Sequence, residues 1–424
     1  MSGDWLDRER GSRDWRLLPA TLCGWAASLA AHAVFDYCMD HDGILGLLPI
    51  VVIGMVPAVA VSGLVFLRLS DPLRRWLAVW HASITMCAVA AVACASCALA
   101  YDLLQWRDAA SRAAAGGEVG VVAVVRAVSP AVDSDRRSND CRLDARTMSI
   151  IIDGVQQNSS ARVRVYADRP ECDELRQGGA YEISGTISEA EYGAMPLWLT
   201  DAVMVGRIRS PSMPMRVIDR MQQAFLAQTA QLSDQGKVLV PGLTLGILGQ
   251  DYVPAEGDAA SIDPTYAAQV EDAFRRSGIV HLMAVSGGHL AVVAALVRSV
   301  CSFFLVPRQA TALLVASAYV MLSACVFPSD SVSRALMMGL SGAACLFLGR
   351  RGQAMAALSW TTLVMLMACP QMSESFGFAL SCAAVLGIVL FAGTLNAWMM
   401  PVMPRFVAEA MSMTISAQIF TLPI

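Results

Sequence analysis

The feature that most constrains this chain is a series of apolar runs, each near the roughly 20 residues that a bilayer-spanning helix needs. They cover about 17–35, 44–67 and 76–104, and then, after a long polar interval, 279–306, 309–327, 332–349, 354–369 and 376–395, with a last one from near 406. The composition agrees. Of 424 residues, 56% are hydrophobic and only 16% charged, with a mean hydropathy of +0.52, against about 25% charged in an ordinary soluble domain. A disordered chain is excluded, and the expected class is a polytopic α-helical membrane protein. The formal net charge of -4 gives no general attraction to nucleic acid or anionic lipid. The first run is long and has no clear small-residue cleavage site, so it is expected to stay as an anchor.

Charge sets the expected orientation. Arg8, Arg10, Arg13 and Arg16 precede the first run, and Arg68, Arg74 and Arg75 lie between the second and third. The first link is acidic, with Asp36, Asp40 and Asp42. Basic connections favour the cytoplasm, so the N-terminus and the 68–75 loop read as inside and residues from 105 onward as outside. In the second half, Arg308, Arg350, Arg351 and Arg405 sit in alternate connections. Starting outside at 279 places those connections inside, so both halves give the same topology. The chain stops at Ile424 within the last apolar run, and a C-terminal truncation is expected there.

Between 105 and 215 the period shortens. Alternating runs at 119–128, 148–155, 161–167, 181–188 and 197–208 are separated by Gly, Asp and Ser clusters, the pattern of short antiparallel strands. Five strands in about 90 residues suit an inserted extracytoplasmic small β-barrel of the OB type; a sandwich fragment is the alternative. Residues 216–236 have helical spacing with Val217, Met221, Phe225 and Leu232 on one side, and 237–251 reads as an interfacial or re-entrant segment. Gly242 and Gly246 give it a GxxxG spacing that permits close helix contact. The expected division is 1–104, 105–215, 216–251 and 252–424.

Ten of the twelve cysteines lie in or beside apolar runs, where Cys acts as a small hydrophobe. Cys141 and Cys172 lie in the polar region placed outside, where oxidation is permitted, and a disulfide is expected; two free thiols are the alternative. The one CxxC pair, Cys94 and Cys97, lies inside an apolar run, and there is no Cys/His cluster of zinc spacing, so neither a metal nor a cofactor is expected.

The densest polar motif inside an apolar run is 274–289, FRRSGIVHLMAVSGGH. It brings His281, Ser286, Gly287 and His289 into a hydrophobic stretch, where such groups are rare without cause. At about 100° per residue, His281 and His289 lie roughly 80° apart on a helix and Ser286 about 60° from His289. Hydrogen bonding and packing between helices account for them equally well. A second motif holds Asp330 four residues before Arg334. It reads either as a structural ion pair or as a positive group at the outer mouth of a polyanion path. The third and fourth, with Phe378 and Ser381 in 374–381 and Gln418 in 416–418, are weaker, and helix packing explains each.

Taken together, these segments resemble a known family. FRRSGIVHLMAVSGGHLAVV resembles the signature of ComEC-type competence proteins. PGLTLGILGQD before it, and SVSRALMM, SFGFALS and ISAQIFTLP after it, resemble further blocks in the family's order, and the inserted β region matches the family's layout. Gly288 stands where an aliphatic residue is usual. The histidine-rich motif of the metallo-β-lactamase-like domain carried by many relatives is missing from this sequence, which has five His in all.

The resemblance implies a channel that carries single-stranded DNA across the bacterial cytoplasmic membrane in natural transformation. The implied partners are that strand, membrane lipid, other uptake components and a separate nuclease; no enzyme activity is expected of this chain. Its candidate path residues are His281, Ser286, Gly287, His289, Asp330, Arg334, Phe378, Ser381 and Gln418. An intramembrane serine hydrolase using Ser286 with His281 or His289, and a small-solute transporter, remain as alternatives. One feature opposes DNA contact at the β region: between 116 and 208 there are ten Arg against fourteen Asp and Glu, whereas single-strand binding normally joins a basic groove to stacking aromatics. Tyr166, Tyr181, Tyr192 and Trp198 are the candidate stackers.

Overall fold

The computed structural model describes residues 15–41, 71–134, 139–168, 171–191, 195–246, 287–350 and 352–422. The apolar run at 44–67, and His281, Ser286 and Tyr192, lie outside the described residues. The chain is mostly helical. Five described stretches are long and apolar enough to cross a membrane: Leu18–Met39, Ser83–Arg107, Arg308–Cys325, Asp330–Leu348 and Phe376–Met399. Gly287–Phe303 and Ala354–Ala368 are apolar but shorter.

In chain order the elements are α1 (Leu18–His41), α2 (Asp71–Arg107), α3 (Ala109–Ala114), β1 (Val119–Ala127), β2 (Val132–Asp133), β3 (Cys141–Ile152), β4 (Val155–Asn158) and β5 (Arg162–Ala167). Then come α4 (Glu171–Glu174), β6 (Ala180–Glu189), β7 (Leu197–Arg209), α5 (Met213–Thr229), α6 (Asp234–Leu245), α7 (Gly287–Phe303), α8 (Arg308–Cys325), α9 (Asp330–Leu348) and α10 (Ala354–Ala368). A 3-10 turn, Pro370–Ser373, leads to α11 (Phe376–Gly387), a π-turn (Ile388–Ala392), α12 (Gly393–Met399) and α13 (Arg405–Thr421). They form two compact units built from segments distant in sequence. One draws on Met1–Asp102, Val297–Ala316 and Arg334–Ile424, the other on Leu103–Leu296 and Ser317–Ser333.

In the first unit, polar side chains share the interior with a core of Leu358, Leu363, Leu366 and Phe378, and large apolar side chains also cover the outside. Thr21, Ser28, His32, Arg334, Thr361 and Thr362 are buried, while Leu22, Val89, Leu313 and Phe391 are exposed. The contacts of α1 climb α10 in one direction. Thr21 Oγ1 donates to the Ser359 carbonyl at 3.4 Å, a Cβ on Gly24 would meet Leu363 at 3.0 Å, and Trp25 Nε1 donates to the Ser373 carbonyl at 3.0 Å. The two helices are therefore parallel, which the charge pattern also requires of them. At the other end of the sequence, a Cβ on Gly387 of α11 would collide with the Ser416 carbonyl of α13. The missing side chain is what lets the two backbones approach.

The second unit holds the sheet. β1 pairs antiparallel with β3 and with β6; β3 pairs with β5, β6 with β7, and β5 with β7 in parallel. Followed from strand to strand, these pairings return to β1. Its interior is aliphatic: Val125, Leu143, Val163, Ile183, Ile187 and Leu199 are all within 2% of full burial. β3 turns into β4 through Asp153 and Gly154, both with positive φ (50° and 79°), as a type I′ hairpin requires. Cys141 on β3 is disulfide-bonded to Cys172 on α4.

Two readings need correction. The helix expected over 216–236 is two helices, because Ser233 starts a new one. The Gly242/Gly246 spacing is not a continuous helix face: Gly246 ends α6 in the left-handed region (φ 80°), its N–H reaching the Gly242 and Pro241 carbonyls. Gly246 is thus a C-terminal cap.

Candidate functional site

Arg334 lies in the first turns of α9 and is only 4% exposed. Its Nε donates to Ser381 Oγ of α11 at 2.7 Å, and a terminal nitrogen lies 3.6 Å from Met338 Sδ. A guanidinium has five N–H groups. Among the described residues, these two neutral acceptors are its hydrogen-bond partners. Burying a cation against a hydroxyl and a thioether is costly unless an anion completes the site. Ser381 is held by its helix, whose start is fixed by Ser375 Oγ accepting from the Phe378 N–H at 3.2 Å. Phe378 is fully buried and packs on Trp25, ring centroids 5.2 Å apart. Cys382, next to Ser381, lies 3.7 Å from Thr362 Oγ1.

The structure therefore brings Arg334 to Ser381, one turn along α11 from Phe378. Asp330 is half-buried in the first turn of α9, and Gln418 is half-buried in α13. Gly287 begins α7, and His289, in its first turn, is exposed. His281 and Ser286 lie outside the described residues.

The β region contains a feature that overall charge concealed. Arg126 on β1 stands directly opposite Arg146 on β3, which stands opposite Arg162 on β5. Asp144 opposes Arg164 in the next pair, with Arg164 Nε donating to Asp144 Oδ1 at 2.8 Å, and Arg142 opposes Tyr166 beyond it. All five arginines alternate with buried residues along their strands, so they share the outer face. Like charges directly opposite on a sheet are destabilising; three in a row is an arrangement that a polyanion would relieve. The inward residues of β3 are Cys141, Leu143, Ala145, Thr147 and Ser149, mostly too small or polar for alternation to mark this face in the sequence.

The expected stackers are buried: Tyr166 and Trp198 lie on that same face by register, opposite Arg142 and Arg164, and Tyr181 lies on the inner face opposite Val125. Tyr166 and Tyr181 are fully buried and Trp198 is 2% exposed. Tyr166 meets Trp198 edge-on at 5.7 Å. Tyr181 Oη accepts from the Arg176 N–H at 2.7 Å and closes the loop before β6. Burial raises the Tyr181 phenol above its ordinary value, although the Arg176 amide bond opposes the shift. Tyr181 belongs to the sheet's core, where an aromatic ring fills interior volume, whereas Tyr166 and Trp198 pack on each other on the arginine face.

Sequence reasoning missed a further polar cluster. Trp25, Ser28 and His32 fall on one side of α1 and meet the Pro370–Ser373 turn. Ser28 Oγ donates to Ser373 Oγ at 3.2 Å, and His32 Nε2 lies 3.4 Å from the Pro370 carbonyl oxygen. The spacing of 3, 4 and 7 residues is a helical face, visible in principle, but its partners lie over 300 residues away. Among the described residues, no group of His, Cys, Asp and Glu could hold a metal ion.

Residues 260–424 match the family model described as Competence protein, consistent with a ComEC-type competence protein. No curated protein and no solved structure matches the chain.

Proposed function

From the match between residues 260–424 and the Competence protein family, we propose that this chain is a multi-pass protein of the bacterial cytoplasmic membrane that passes single-stranded DNA inward during natural transformation. The observation that carries this reading is the buried guanidinium of Arg334, engaged by two neutral acceptors within the matched segment. Arginine stays charged when buried and offers donors matched to phosphate oxygens. A strand must also leave, so binding has to be weak enough for release, and a single cation at the mouth of the path satisfies both needs.

In this proposal the closed circuit of five strands is an OB-type barrel, since β1-β3-β5-β7-β6 returning to β1, with β5 and β7 parallel, matches the connectivity of such a fold. Its arginine row would meet the strand by phosphate contact without base stacking, giving weak, salt-sensitive binding. The barrel faces outward and the basic loops inward. The chain acts as a conduit and not as an enzyme, and a separate nuclease supplies the single strand.

A deletion strain tests the proposal, with transformation frequency and surface-bound DNA measured together. Loss of transformants with surface DNA retained supports it. Normal transformation refutes it.

A further inference from the structure

His32 is buried in α1, inside the candidate span Leu18–Met39. Its Nδ1 lies 2.7 Å from Asp102 Oδ2 on α2, while Nε2 faces the Pro370 carbonyl oxygen at 3.4 Å. Side-chain exposure is 5% for His32 and 14% for Asp102. Glu374, just past the turn, is the other acid whose charge bears on the ring. Ionisable residues inside a span are costly and mark ion or proton routes.

Counting protons defines the resting state. A carbonyl oxygen can only accept, so Nε2 carries a hydrogen. A 2.7 Å contact between Nδ1 and a carboxylate oxygen requires a proton between them. Ring and carboxylate therefore share two protons and are neutral as a pair, whichever side holds the shared one. When the shared proton leaves through Asp102, the more exposed partner, the pair becomes a net anion beside Glu374. The ring now has one N–H for two acceptors. The charged acceptor makes the stronger bond, so that hydrogen settles on Nδ1 against Asp102. Nε2 then turns a lone pair toward the Pro370 carbonyl, and that contact opens.

The Pro370 contact helps seat the 370–373 turn, together with Trp25 and Ser28. The turn leads directly into α11, which carries Phe378 and Ser381, the acceptor of Arg334. We propose that His32 and Asp102 form a proton-binding site whose occupancy sets the seating of the 370–373 turn, and through α11 the position of Ser381 beside Arg334. The last step, and only that step, rests on the strand-path reading.

The test uses the full chain in lipid nanodiscs, without DNA, so that its failure is separate from any failure of that reading. Tryptophan is replaced biosynthetically by 5-fluorotryptophan, and the Trp25 fluorine resonance is assigned by its loss in Trp25→Phe. Trp25 reports on the turn because its indole N–H is held by Ser373. The resonance is expected to shift along a one-proton curve between about pH 5 and 10, a range that brackets an ordinary imidazole and extends above it. Asp102→Asn and His32→Gln should each flatten the curve while leaving the other tryptophan resonances in place. Glu374→Gln should keep the transition but move it to lower pH, because a nearby negative charge has gone. A Trp25 resonance that stays fixed across the range overturns the proposal, as does a curve that survives unchanged in Asp102→Asn. Should the pair variants fail to assemble, the wild-type curve and its displacement in Glu374→Gln decide, and an undisplaced curve counts against the site.

Discussion

The sheet and the helical unit distribute their polar residues differently. In the sheet, aliphatic side chains fill the interior and the arginines of β1, β3 and β5 lie outside. In the helical unit, hydroxyls, a histidine and an arginine are buried beside Leu358, Leu363, Leu366 and Phe378, while many large aliphatic residues also line the outside. The sheet follows the rule for a chain in water. The helices follow the rule for a chain in lipid, where apolar surface needs no burial and association relies on close packing and polar contacts. A single sequence thus carries two solvents' rules, and the change occurs near Arg107, where the candidate span ends.

The contrast can be broken most forcefully at the disulfide. The sheet is covalently closed between Cys141 and Cys172, 31 residues apart. Replacing both by Ser should destabilise the sheet by about 3–4 kcal/mol in the chain-entropy treatment, leaving the helices intact. Limited proteolysis of the full chain reads this, after thiol alkylation and intact-mass measurement have shown that both cysteines are oxidised in the natural protein. Two alkylated sites in the sheet would remove the basis of the prediction.

Next comes the polarity itself. Leu313→Lys places a charge on the outer side of a candidate span and should cost on the order of 2–3 kcal/mol of insertion. Met148→Lys, equally exposed in kind on β3, should change stability by no more than about 0.5 kcal/mol. Membrane abundance of the two variants compares them directly. Equal behaviour would mean that both regions see the same solvent.

What the sequence revealed follows the same division. The spans were legible because length and hydropathy suffice: the run expected at 332–349 is the helix Asp330–Leu348, and that at 309–327 is Arg308–Cys325. Strands β1, β5, β6 and β7 were legible from alternation. The first half of β3 was not, because Leu143 is its one large apolar inward residue, between Cys141 and Ala145, and its outward ones are charged. Contacts across long sequence distances were not legible either. Nothing local indicates that His32 faces Asp102, 70 residues on, or that Arg334 donates to Ser381, 47 residues on. The polar motif at 274–289 drew attention by its composition, yet His281 and Ser286 fall outside the described residues. Arg334 was identified with a partner four residues away, whereas its guanidinium reaches another helix.

A smaller effect is expected at Tyr181. Tyr181→Phe removes the acceptor of the Arg176 amide and should cost about 1 kcal/mol. The folded state also holds the phenol proton more tightly than the unfolded chain does. That contribution is present below about pH 10, the ordinary tyrosine value, and is lost as pH rises through the raised folded value. The alkaline loss of sheet stability should therefore be shallower in Tyr181→Phe, as measured by proteolysis across a pH series. The smallest effect has the opposite sign. Arg146→Gln relieves the cross-strand repulsion with Arg126 and Arg162 and should stabilise the sheet by about 0.2–1 kcal/mol, while weakening its hold on single-stranded DNA in a filter assay at low salt.

The most direct measurement follows labelled DNA into the nuclease-protected cytoplasm of a competent strain carrying Arg334→Ala at normal membrane abundance. Surface-bound DNA should be unchanged. Losing a charged hydrogen-bond donor of roughly 1.5–3 kcal/mol should lower protected DNA by on the order of ten- to a hundredfold, and Arg334→Lys should restore part of it if point charge suffices. Protected DNA at the wild-type level in the Arg334→Ala strain would contradict a strand path past this arginine.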